Sequence, residues 1–135
     1  MSSMRRGVRT EEMQEQERSK SGLLLRGRLA KELGQHDEAA KLFGEAAELE
    51  EALALAYAAQ GISEQVWRHE FSAAGCWFQA GNFLRSLELC DKLTATPDAP
   101  ETLRERARSY AQTLRERRDR LWAELLQSEH TLVAA

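Results

Sequence analysis

The chain has 135 residues, 42% hydrophobic and 30% charged, with a net charge of −3. This is enough for one domain with a core that needs no disulfide or metal staple, and too apolar for a disordered chain. The charge gives no overall pull toward nucleic acid or an anionic membrane.

The remaining composition narrows the fold. Valine stands only at Val8, Val66 and Val133, so a sheet lacks its usual material, and both prolines, Pro97 and Pro100, fall in one short stretch. Charge is uneven. From Leu29 to Glu64 two lysines face eight acids, whereas from Ala99 to Ser128 seven arginines face five acids, and the opening carries Arg5, Arg6 and Arg9. Cys76 and Cys90 match neither metal nor CxxC spacing and read as reduced core residues. No apolar run suits a membrane span and no leader opens the chain, so a cytoplasmic location is expected.

In chain order, residues 1–20 read as a polar segment, flexible or helical, with Thr10 placed to cap a helix beginning EEMQEQE. Ser19, Ser21 and Gly22 suggest a break. Leu23 to Leu33 keeps helical spacing, and Gly34 ends it in the left-handed conformation. Asp37 is placed to cap the next helix, whose stripe is Ala39, Leu42, Phe43, Ala46, Leu49, Leu53, Ala56 and Tyr57, running to Gly61. Ser63 is placed to cap a helix over 64–80 rich in aromatics, and Gly81-Asn82 breaks before a fourth helix over 83–93. Asp98 and Glu101 form the pattern of a capping box that opens a long last helix. A disordered tail is expected over 129–135. The fold class is therefore all-α: stacked antiparallel helical hairpins over 21–128, five or six helices, with a long closing helix.

Two segments resemble tetratricopeptide repeats. In the first, Leu23 and Gly27 occupy the large and small positions of the first helix, Gly34 the turn, and Ala39, Phe43 and Ala46 the second helix. In the second, Ala74, Trp77, Gly81, Ser86, Cys90 and Leu93 fall at matching positions, Leu93 being larger than the pattern's small residue. The turn glycines lie 47 residues apart against a family period of about 34. Arg26 stands where an aliphatic residue is usual, and Glu51 where a proline closes the first repeat. The resemblance implies recognition of a protein segment in a concave groove lined by the first helix of each hairpin.

Carrying that register over places Leu24, Arg28, Lys31, Arg68, Phe71, Gly75 and Phe78 on the groove. Phe71 and Phe78 are two turns apart on one face, Gly75 leaves room between them, and Arg28, Lys31 and Arg68 suit a carboxylate. The expected partner is a protein or peptide that is acidic with apolar anchors. The alternative is that the last helix, or residues 10–20, covers the two phenylalanines as ordinary core. The carboxylate clamp known in this family needs asparagine beside its lysines, and the one asparagine, Asn82, is at a turn.

Catalytic and cofactor chemistry has no supporting pattern. His36, His69 and His130 are scattered, no metal-ligand spacing joins them, and nucleotide and nucleophile motifs are absent. Arg104, Arg108, Arg115 and Arg118 lie roughly on one side of the last helix among Glu101, Glu105, Glu116 and Asp119, and read as a solvated, internally paired face. The expected function is a non-catalytic adaptor with no metal, cofactor, nucleic acid or membrane partner. The alternative is self-assembly through Leu103, Tyr110, Leu114, Leu121, Trp122 and Leu125, a near-heptad stripe suited to an antiparallel homodimer.

Overall fold

The structure is a computed structural model that describes residues 7–134, with side chains as far as residue 130. The basic opening at Arg5 and Arg6, and the final Ala135, lie outside the described residues. Five helices follow one another: α1 (Glu11–Glu32), α2 (His36–Ala59), α3 (Ser63–Gln79), α4 (Phe83–Thr94) and α5 (Glu101–Ala134). Among the described residues there is no strand, and no helix is long and apolar enough to cross a membrane.

The first three links share one device. Gly34, Gly61 and Gly81 have φ of 77°, 73° and 84°, a region that glycine enters without steric cost. At each, the glycine N–H donates three residues back and the next N–H five back, for example Gln35 to Ala30 at 2.8 Å and Asn82 to Trp77 at 2.9 Å. These paired bonds satisfy carbonyls that the helix end leaves open and turn the chain sharply. Three-residue links then force antiparallel neighbours, and each helix packs on the next. The expected all-α stack of hairpins with a long final helix is what forms.

The helix starts differ from the sequence reading. Thr10 does cap α1, its hydroxyl accepting from Met13 N–H at 3.1 Å. But α1 runs unbroken through Ser19, Ser21 and Gly22, because all three positions are exposed while Met13, Gly27 and Ala30 anchor the buried side. Asp37 and Ser63 are not caps: Gln35 and Ile62 hold those places without side-chain cap bonds, and Asp37 lies inside the first turn of α2. Asn82 caps α4 through Arg85 N–H. Helix α5 starts at Glu101, past the proposed Asp98 box, and continues through residues 129–134, where a disordered tail was expected. No glycine or proline interrupts that stretch, so nothing local stops the helix.

The core is carried mostly by small residues. Ala46, Ala47, Ala73 and Ala74 are fully buried, as are Leu53, Leu93 and Cys90. A Cβ on Gly27 would sit 3.2 Å from the Phe43 ring, so that glycine lets α1 settle directly on the aromatic face of α2. Ser86 fits the same way, with its hydroxyl donating to Ala74 carbonyl at 2.7 Å. Cys76 and Cys90 are buried free thiols, both pushed up to about 11 by burial.

Candidate protein-interaction face

Side-chain contacts bring the odd-numbered helices together along one face. α3 is the middle ridge, and it meets α1 on one flank and α5 on the other. The two seams differ in chemistry.

The α1/α3 seam is built on charge. Glu50 of α2 is only 3% exposed, yet it carries a carboxylate in line with Ala46, Leu53 and Tyr57. Lys20 of α1 lies 3.1 Å from Glu50 Oε1 and 2.9 Å from Glu17 Oε2. His69 of α3 places Nδ1 3.1 Å from the same Glu50 oxygen and Nε2 3.7 Å from Glu17, and its ring stacks on Tyr57 at 5.4 Å. Burial pushes the Glu50 carboxyl up, but the His69 hydrogen bond and the Lys20 charge outweigh that and hold it below the usual range. Burial likewise pulls the Lys20 ammonium down, and Glu17 and Glu50 more than reverse it. The network ties three helices together and gives the buried Glu50 carboxylate partners from two other helices, as a buried charge requires.

Two adjoining clefts open over this network. One, of about 370 Å³, is lined by Leu24, Arg28, Phe43, Gly75 and Gln79 among others; its neighbour, about 330 Å³, by Arg9, Tyr57 and Arg68. Of the residues expected at a groove, Leu24, Arg28, Gly75 and Arg68 therefore do line this seam. A Cβ on Gly75 would meet nothing within 4 Å, so the floor is open there. Lys31 donates to Gln79 Oε1 at 2.8 Å across the mouth. Arg28 and Arg68 are exposed and have no ion-pair partner among the described residues.

The α3/α5 seam is built on rings. Phe71 and Phe78 turn to α5, not to α1, and both contact Tyr110 edge-on, at 6.1 and 5.8 Å between centroids. Phe78 also meets Phe83 of α4 at 5.5 Å. The closing helix thus covers these phenylalanines in part, and both remain half-buried. Above them lie two guanidinium groups: Arg106 Cζ is 5.0 Å from the Phe71 centroid and Arg117 Cζ 5.3 Å from that of Phe78. Neither arginine has an ion-pair partner among the described residues. A groove of about 760 Å³ runs beside Phe71 and Tyr110, edged by Thr102, Ser109 and Thr113, with Glu105 the acid among its lining. Burial pushes the Tyr110 phenol up to about 12.

Sequence reasoning missed Glu17, Lys20, Glu50 and His69 as a group, and missed Arg106 and Arg117. One signal was available for the first set: Glu50 interrupts the apolar face of α2 at Ala46, Leu53 and Tyr57. On α5, Arg104 and Arg118 do pair locally, with Glu101 and Asp119, and Arg115 pairs with Asp91 of α4. The self-assembly stripe divides in two. Leu103, Tyr110 and Leu114 pack into the α3/α4 core, whereas Leu121, Trp122 and Leu125 stand exposed. Among the described residues no group of three histidines, cysteines or acids is placed to hold a metal.

No family model, no curated protein and no solved structure matches the chain.

Proposed function

We propose that the chain is a non-catalytic protein-interaction module whose odd-numbered helices hold an extended, acidic partner segment along α3. One observation carries this reading. Arg106 and Arg117 sit over the half-buried rings of Phe71 and Phe78, with no ion-pair partner among the described residues. A guanidinium held on a ring keeps its edge donors free, and those donors match carboxylate geometry. Arg28 and Arg68 stand on the other flank of α3, so a segment lying along that helix meets cations on both sides. The open floor at Gly75 takes an apolar anchor between them.

The tetratricopeptide-like pattern supports the same reading. Gly27 packing on Phe43 and the left-handed turns at Gly34 and Gly81 are compatible with that pattern. A partner of opposite sign would be steered to this face and released by salt.

The test is a titration of the full chain with a fluorescent acidic peptide carrying one leucine or phenylalanine, beside its lysine-substituted counterpart. The expected outcome is saturable, salt-sensitive binding of the acidic peptide alone. Equal binding of both peptides, or of neither, would refute the reading.

A further inference from the structure

Helix α5 has two lives. Up to Leu114 its apolar face is covered by α3 and α4, but every described residue from Arg115 to His130 is exposed. This overhang is about 24 Å of helix, tied back at its start by Arg115 to Asp91 and Arg117 over Phe78, and no other helix covers its apolar residues. It nevertheless carries Leu121, Trp122, Leu125 and Leu126, exposed by 41, 59, 58 and 60%. Exposed large apolar residues scattered singly need no explanation, whereas four in six positions on one stretch of helix do.

Their spacing is symmetric. Leu121 and Leu126, Trp122 and Leu125, and Arg118 and Glu129 are each equally distant from one point between Ala123 and Glu124. If a second overhang runs antiparallel through that point, Trp122 of one copy sits at the height of Leu125 of the other. Leu121 then stands level with Leu126, and Arg118 with Glu129. Charge agrees with this direction. Residues 115–120 hold four arginines and two acids, while 121–130 hold Glu124 and Glu129 with no lysine or arginine. Antiparallel pairing through that point sets residues 115–120 level with 127–132, so Glu129 meets the basic stretch twice, whereas parallel pairing sets the arginines on arginines. A two-fold interface must be self-complementary in this manner, residue i meeting j and j meeting i.

We infer that the overhang of α5 is a homodimer interface, in which a second copy of this chain pairs antiparallel through Leu121, Trp122, Leu125 and Leu126 and is held in register by Arg118 against Glu129. The occupant is a second copy because both the apolar set and the charge set complement themselves. The contacting set, Arg118, Leu121, Trp122, Leu125, Leu126 and Glu129, shares no residue with the peptide face, although Arg117 of that face lies in the same basic stretch.

The experiment is sedimentation equilibrium of the full chain over a concentration series, for wild type and three variants. All substitutions are at exposed positions, so far-UV circular dichroism should show unchanged folding. Wild type should dimerise reversibly. Leu125→Asp should weaken the dimer by roughly 30-fold or more, the scale of a central anchor residue. Arg118→Glu should weaken it several-fold, and Arg118→Glu with Glu129→Arg should restore it. A wild-type monomer at every concentration would overturn the inference. So would a dimer indifferent to Leu125→Asp, or a double reversal no tighter than the single one.

Discussion

The two seams flanking α3 solve the same packing problem with opposite chemistry. Toward α1, charge is buried, and Glu50 is tolerated only because Lys20 and His69 reach it from two other helices. Toward α5, rings are half-buried and charge is kept at the surface, as Arg106 and Arg117 cover Phe71 and Phe78 from outside. The first arrangement spends its charges on itself. The second leaves its charges available to something else. A buried hydrogen-bonded network fixes helix placement, whereas unpaired cations on an aromatic floor are what a ligand of opposite sign needs.

Breaking one member of each seam should expose the contrast. Lys20→Met leaves Glu50 buried beside Glu17 with the ammonium gone. It should cost about 3 kcal/mol in urea unfolding, the scale of a broken buried pair. Adding Glu50→Leu to it should recover much of that, since apolar replacement of a whole pair is often near neutral. If Lys20→Met alone is silent, the network is not what ties α1 down. Tyr110→Ala opens the other seam under both phenylalanines. A half-buried aromatic truncated there should cost less, about 2 kcal/mol, and should raise hydrogen exchange in α5 more than in α1.

Acid sharpens the same contrast by a smaller amount. The Glu50 carboxyl is held below its ordinary value of 4.5 in the fold, so the unfolded chain takes up its proton first. Its contribution is therefore present above that value and lost as the pH falls through the lower, folded one. The gap in urea midpoint between wild type and Glu50→Gln should narrow as the pH drops below 4.5. A gap that widens in acid would mean that the sign is wrong.

Much of the fold was legible because its punctuation is local. Gly34, Gly61 and Gly81 each mark a turn that only a left-handed residue completes. Helix starts were less legible, since Asp37 and Ser63 have the right chemistry for a cap but are drawn into the first turn by the glycine turns preceding them. The break expected at Gly22 fails for a related reason. A glycine there costs the helix about 1 kcal/mol, and the packing of Met13, Gly27 and Ala30 on the far side outweighs it.

The candidate face was half legible. Phe71 and Phe78 were visible as a pair at helical spacing, but spacing does not say which neighbouring helix they turn to. Glu17, Lys20, Glu50 and His69 come from three helices, so no window of sequence contains them all. Arg106 and Arg117 sit among acids on α5 and read as solvent-facing; only the packed structure puts them over rings.

The most direct test of the open face along α3 is the acidic-peptide titration repeated on Arg106→Glu/Arg117→Glu. Both side chains are held only by ring contacts, so the variant should unfold at nearly the wild-type urea concentration. Binding of the acidic peptide should fall by at least tenfold, while a lysine-substituted peptide should gain. Undiminished binding of the acidic peptide by a folded variant would contradict the account.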